Sequence, residues 1–193
     1  MVKKILVIQG HPVNDTFSEM LFKRYVKGAI QSGADLKTLI LRDLSFELNF
    51  RTGYRGSQTL EPDLVEAQQL IAWADHLVFI YPNWWSTFPA LVKGFIDRTF
   101  LPGFAFRYRK GSLLWDRLLP GRSARLIVTM DTPVWYYRLV YKRPGHNAMK
   151  HGILEFCGIK PVRITTLGPI KTSSESQRLK WLDKVETLGQ KLL

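Results

Sequence analysis

One cysteine, Cys157, is all that the 193-residue chain contains. An intramolecular disulfide is therefore excluded, and the expected setting is a reducing compartment, the cytoplasm. No apolar stretch is long enough to span a bilayer. The N-terminal Met1-Val2-Lys3-Lys4-Ile5-Leu6-Val7-Ile8 mimics the start of a signal peptide. Its apolar run soon meets Gln9 and His11, however, and no small-residue cleavage site follows, so it reads as a buried first strand. Internal repeats, low-complexity tracts and interdomain linkers are missing too, and residues 1–193 are expected to form one domain with a real core. Acidic residues are scarce: 16 Asp and Glu against 28 Lys and Arg leave a net charge of +12. Such a surplus can serve nucleic acid, an anionic membrane surface or anionic cofactors. Only modest basic clusters occur, at Arg107-Tyr108-Arg109-Lys110 and from Arg138 to Arg143, and no zinc-finger or RNA-recognition signature accompanies them. Nucleic acid is therefore not the expected partner. A solvated basic surface comes first, then weak peripheral attraction to a membrane and phosphate recruitment. No His/Cys/carboxylate cluster has ligand spacing, so no metal site is expected.

What is present is an alternation of strand and helix patterns. Lys4 to Gln9 reads as a buried strand, and Thr16 to Gln31 as a helix with Phe17, Met20, Leu21, Tyr25 and Ile30 near helical spacing. Asp35 to Leu41 is the second strand, followed by a polar excursion over residues 43–61. Pro62 sits where a helix starts and runs to about Ala74, with Asp63 and Glu66 in its first turn. His76 to Tyr81 is strand three, Pro89 to Phe100 a helix, residues 102–122 loop-like, and Ala124 to Met130 strand four. A helix over Asn147 to Phe156 ends at Cys157-Gly158, Val162 to Thr166 is strand five, and Ser174 to Leu193 a closing helix. Five apolar strands separated by helices predict an α/β fold: a parallel sheet with helices on both faces, flavodoxin-like, in strand order 2-1-3-4-5. Its ligand crevice lies outside the carboxyl ends of strands one and three, at the switch point.

Two loops meet there. Gly10-His11-Pro12-Val13-Asn14-Asp15-Thr16-Phe17-Ser18 places a glycine and several hydroxyl and amide side chains before a helix N-terminus, a setting that holds phosphate. It is neither a Walker A loop nor a three-glycine dinucleotide loop. Thr16 or Asp15 equally suits a plain N-cap, and His11 a hydrogen-bonded structural imidazole. The second loop, Tyr81-Pro82-Asn83-Trp84-Trp85-Ser86-Thr87-Phe88-Pro89, carries adjacent tryptophans at a strand end. Backbone groups and apolar walls there suit a flat ring such as a tricyclic flavin. One tryptophan simply covering the sheet end, or stacking of single-stranded nucleic acid, are the other readings.

Four segments in order carry a resemblance: His11 through Ser18, Tyr81 through Phe95, Gly103-Phe104-Ala105-Phe106 and Leu154-Glu155-Phe156-Cys157-Gly158-Ile159. Together they resemble the NAD(P)H:quinone oxidoreductase family, flavodoxin-like flavoenzymes related to DT-diaphorase, over nearly the whole chain. The proline-Trp-proline-Lys-Gly segment is the most specific part. The resemblance implies bound FAD or FMN, NAD(P)H as co-substrate, a quinone-like acceptor, and a homodimer with active sites at the subunit interface. It implies that His11, Thr16, Phe17 and Ser18 contact the flavin phosphates or ribityl chain. Pro82, Asn83, Trp84, Trp85 and Ser86 would line the isoalloxazine, and Thr129, Met130, Asp131 and Thr132 its other edge. Where the mammalian pattern has Thr-Thr-Gly-Gly, this chain has Thr129-Met130-Asp131-Thr132-Pro133, a differently shaped loop with a carboxylate. Tyr137, or its neighbour Tyr136, falls where the family places a tyrosine beside the flavin, and His146 is the nearest counterpart of the accompanying histidine. The implied activity is ping-pong hydride transfer from NAD(P)H to quinones. Two alternatives share the family or the fold: a soluble ancillary subunit of a potassium-efflux transporter, and a flavodoxin-type electron carrier.

Overall fold

The structure is a computed structural model that describes residues 2–56 and 58–192. Strands β1 (Lys4–Gln9), β2 (Asp35–Ile40) and β3 (His76–Pro82) come first, then a short antiparallel pair, β4 (Phe106–Tyr108) and β5 (Trp115–Arg117), and then β6 (Ser123–Thr129) and β7 (Val162–Leu167). The five longer strands form one parallel sheet in the order β2-β1-β3-β6-β7. This is the expected doubly wound arrangement, with the hairpin inserted between its third and fourth strands. The central strand β3 is buried along its full length. An apolar run without alternation follows from cover on both faces.

Helices α1 (Phe17–Gln31) and α6 (Glu175–Gln190) cover one face, and α2 (Pro62–Trp73) and α3 (Ala90–Thr99) the other. Ile5, Val7, Val78, Ile80 and Ile127 meet the first pair; Leu6, Ile8, Leu77, Phe79, Leu126 and Val128 meet the second. Helices α1 and α6 cross at glycines. A Cβ on Gly28 would collide with the Glu186 carbonyl, and one on Gly189 with the Tyr25 carbonyl. Around this crossing the Glu186 carboxylate accepts from Arg24 and Lys27, both at 2.7 Å.

Three elements depart from the sequence expectation. Residues 102–122 are not simply loop: β4 and β5 pair within them, too short to show any period, and tertiary contacts hold them. The Trp115 indole stacks on Phe156 at 4.5 Å and donates its Nε1–H to the Phe156 carbonyl at 2.9 Å. The segment after β6 forms helix α4 (Val134–Leu139), which the aromatic run Trp135-Tyr136-Tyr137 does not announce. The expected helix over 147–156 is a short turn, α5 (Pro144–Asn147), running into a π-helical stretch over Ala148–Glu155. Its buried residues Met149 and Leu154 lie five apart, the spacing of i→i+5 winding. Cys157 follows, buried, and burial pushes its thiol up to about 12.

The polar excursion after β2 is clamped by one side chain. Arg98 of α3, at 0% exposure, donates to the carbonyls of Glu47 (2.7 Å) and Thr59 (2.9 Å) and to the Glu61 carboxylate (2.8 Å). Arg98→Ala is expected to lower stability by about 3–5 kcal/mol, because the carboxylate and both carbonyls lose a buried cation. A urea midpoint unchanged from wild type would show that the excursion does not depend on this clamp.

Candidate functional site

The carboxyl ends of β1, β3 and β6 open on a crevice of about 190 Å³. Its wall is made of His11, Thr16, Phe17, Ser18, Pro82, Asn83, Trp84, Thr129, Met130, Asp131 and Ile170. Most of the residues singled out from the sequence therefore share one cavity. Trp85, Ser86, Thr132, Tyr137 and His146 are not on this wall.

Thr16 is the N-cap of α1: its hydroxyl accepts from the Glu19 N–H at 3.3 Å. The Glu19 carboxylate in turn accepts from the Asp15 N–H at 3.0 Å, which holds Asp15 at a φ of 54°. The capping role of Thr16 is thus realised. Beyond it, Phe17 and Ser18 occupy the first helical positions, whose N–H groups have no intrahelical acceptor, and the dipole adds partial positive charge. The Ser18 hydroxyl lies 3.1 Å from that of Thr129, so α1 and β6 are tied together at the cavity floor. Gly10 has a packing role: a Cβ there would meet Val92 Cγ2 at 2.5 Å and Tyr81 Cβ at 3.2 Å.

His11 is held as a neutral imidazole. Partial burial lowers its pKa, and the Val13 N–H donates to its Nδ1 at 3.0 Å, which leaves Nε2 to carry the proton. Its ring meets Trp84 edge to face at 5.6 Å. The two tryptophans then part company. Trp84 N–H and C=O pair with Thr87 at 2.9 Å each, closing a two-residue turn with Trp85 at φ 51° and Ser86 at φ 63°. Both central residues are left-handed, as in a type I′ turn, a conformation normally given to Asn-Gly. Trp85 stands 99% exposed at the tip.

The turn is braced from behind. The Tyr137 hydroxyl, 1% exposed as a residue, donates to the Ser86 carbonyl at 3.2 Å and accepts from the N–H groups of Gly145 (3.1 Å) and His146 (3.3 Å). Gly145 also donates to the Ser86 carbonyl at 3.0 Å, and a Cβ on it would press that same oxygen at 2.7 Å. His146 packs edge to face on Tyr137 at 4.9 Å. Burial, with Arg143 adding to it, lowers His146 to about 4, and its Nε2 has no hydrogen-bond partner among the described residues. The pair sits behind the crevice wall.

On the far edge, Asp131 accepts from the Lys171 N–H at 2.7 Å, and the Met130 carbonyl from the Ile170 N–H at 3.0 Å. The departure from Thr-Thr-Gly-Gly therefore ties the loop to the segment after β7. That tie brings in Ile170, which sequence reasoning missed because it follows the last strand at a distance no local pattern marks. Arg42 was missed as well. It pairs with Glu19 at 3.5 Å, its Nη1 and Nε make no hydrogen bond among the described residues, and its charge helps keep His11 unprotonated. No group of three or more His, Cys, Asp or Glu able to hold a metal occurs among the described residues.

Residues 3–190 match a family model described as flavodoxin-like fold. A mouse ribosyldihydronicotinamide dehydrogenase [quinone] is 27% identical over 204 aligned positions, covering 91% of this chain and 86% of that one. A Streptococcus mutans protein of solved structure is 32% identical, with a TM-score of 0.81 over 97% of this chain and 99% of that one. An FMN-dependent NADH-azoreductase from Bacillus anthracis, solved with FMN, shares the fold at a TM-score of 0.77 and 18% identity, covering 99% of each chain.

Two substitutions at the braced turn should act in opposite directions. Tyr137→Phe leaves the buried His146 N–H unpaired, the Gly145 N–H keeping the Ser86 carbonyl, and should cost about 1–3 kcal/mol. Ser86→Gly relieves a left-handed residue and should gain on the order of 1 kcal/mol. Denaturant midpoints read both, and a loss at Ser86→Gly would contradict the strained turn.

Proposed function

Because the chain belongs to the family of flavodoxin-like fold matched over residues 3–190, we propose that it is an oxidoreductase using a bound flavin to carry two electrons from NAD(P)H to quinones or similar flat acceptors. The observation that carries this is the crevice itself. It joins unpaired helix N–H groups, an aromatic wall and a polar loop edge in one cavity at the switch point. Each element answers one part of a flavin: phosphate, ring face, ring edge. When bound, the flavin supplies hydride acceptance and donation.

The chain's own residues do the positioning. Phe17 and Ser18 N–H groups at the start of α1 hold the phosphate, with Thr16 fixing the helix entry. Trp84 and His11 form one wall, and the His11 Nε2–H is a donor toward the ligand. The Asn83 N–H is already spent on the Thr129 carbonyl at 2.7 Å, so its side-chain amide is the group left for the ring edge. Thr129, Met130 and Asp131 face the opposite edge, where the Thr129 hydroxyl is the side-chain group able to donate toward developing negative charge. Tyr137 acts as a positioning residue for the Trp84–Thr87 turn. His146, buried behind the wall and packed edge to face on Tyr137, is a second positioning residue.

In a ping-pong cycle the nicotinamide donor occupies the slot beside Trp84 and leaves before the acceptor enters it. The quinone then takes two electrons and two protons and departs as hydroquinone. The flavin is FMN or FAD, FMN being what the Bacillus anthracis relative holds. A second copy of the chain completes the site. Trp85, Trp135, Leu139 and Val140 are all more than half exposed, an apolar surface that a monomer has reason to cover. No described helix is long and apolar enough to cross a membrane, and the cytoplasm is the proposed location.

The purified protein should be yellow, be bleached anaerobically by NADH or NADPH, and regain its colour on adding a quinone. A colourless protein that takes up neither FMN nor FAD would overturn the proposal, and chromatography of the released chromophore identifies the flavin. Trp85→Ala should impair flavin retention or turnover far more than Trp73→Ala. Trp73 lies on α2, away from the crevice, with the Lys37 ammonium 4.6 Å over its ring. In Tyr137→Phe, stopped-flow reduction should stay within about twofold of wild type; a loss of about 10²–10⁴-fold would assign the tyrosine to proton transfer instead.

A further inference from the structure

At the amino ends of the strands, opposite the crevice, lies a second cavity of about 150 Å³. Lys3, His76, Ser123 and Arg163 line it, with Arg163 at its exposed rim. Arg125 stands directly beside Arg163 in the β6–β7 register and is itself buried. Three cations thus crowd one end of the α1/α6 face. Like charges side by side on a sheet are destabilising unless something compensates them.

Compensation within the chain is sparse. Among the described residues, none of the three makes a salt bridge. Lys3 donates to the Leu192 carbonyl at 2.8 Å. Arg125 donates to the Thr165 hydroxyl at 2.7 Å, and its Nε is unpartnered. Asp75, the acid whose charge reaches Lys3, already accepts from the Lys4 N–H at 3.0 Å. The carbonyl end of α6 brings only partial negative charge.

His76 adds a second, independent sign. It is 3% exposed, its Nδ1 lies 2.7 Å from the Ser123 hydroxyl, and its Nε2 has no hydrogen-bond partner among the described residues. Burial, reinforced by Lys3, Arg125 and Arg163, lowers its pKa to about 3, so the ring is neutral near pH 7. The contact fits either ring tautomer; in the one where the Ser123 hydroxyl donates to Nδ1, the single ring proton sits on Nε2. In that tautomer a neutral donor and two flanking cations line one cavity, and among the described residues the acceptor they meet is the Leu192 carbonyl taken by Lys3.

We propose that this basal cavity binds a small oxyanion of the phosphate class, held between Lys3 and Arg163 with the His76 Nε2–H as a further donor. Charge-assisted bonds to such an ion would offset the repulsion between Arg125 and Arg163 and join β1, β3, β6 and β7 at their starts. The site is separate from the crevice, so its occupancy changes stability and leaves flavin binding alone.

Inorganic phosphate is the probe, titrated into the protein as isolated at pH 7, with sodium chloride holding ionic strength constant. Calorimetry and thermal unfolding are the readouts. A saturable one-site signal is expected, weakened about tenfold or more in Arg163→Gln and in Lys3→Gln. Lys180→Gln, an exposed charge change on α6, should leave it as in wild type. Visible absorbance and turnover should be the same in all three variants, which separates this site from phosphate entering the crevice. Chloride giving the same stabilisation, no saturable binding, or undiminished affinity in Arg163→Gln would each overturn the proposal. Should Arg163→Gln fail to fold, Lys3→Gln decides by the same criterion.

Discussion

Everything in this molecule is arranged around the complete burial of β3. A strand with neighbours on both edges and helices on both faces satisfies its backbone groups only through the ladders to β1 and β6. Polar chemistry then has two places to go, the two ends of the sheet. At the carboxyl end, chains leave β1, β3 and β6 as loops that must diverge toward opposite faces, and the crevice is the gap between them. At the amino end the strands start close together, and the charged residues that begin them are forced into one small space. Both cavities are thus consequences of one buried strand.

The sheet was legible because its strands obey that constraint: Ile5 to Ile8 and His76 to Tyr81 are apolar without alternation, and helical periods separate them. The helix entry at the crevice was legible too, since Asp15 or Thr16 before a helical period suits an N-cap, and Thr16 takes that place. What escaped depends on contacts distant in sequence. The β4–β5 hairpin is held by Trp115 stacking on Phe156, and no three-residue strand can announce that. Ile170 reaches the crevice only because the Met130 carbonyl draws in the segment after β7. The π-helical winding after Asn147 keeps Met149 and Leu154 buried at a spacing that helical templates do not test.

The double tryptophan shows how far chemistry can be inferred from residue type alone. Both rings lie at the end of β3, as the pattern suggested, but the left-handed turn sends them in different directions: Trp84 against His11, Trp85 into solvent. Holding two non-glycine residues at positive φ costs energy, and the Tyr137 hydroxyl and Gly145 N–H that grip the Ser86 carbonyl supply the compensation. The tyrosine that looks like acid–base machinery in sequence has its hydroxyl engaged by three backbone groups of the turn and of the segment behind it.

The buried Cys157 has a chemical meaning of its own for an enzyme whose proposed acceptors are quinones. Quinones are electrophiles, and the soft nucleophile they attack is a thiolate. With its pKa pushed up to about 12, the chain's sole sulfhydryl stays protonated and shielded at any physiological pH. Alkylation by such acceptors is therefore disfavoured at Cys157.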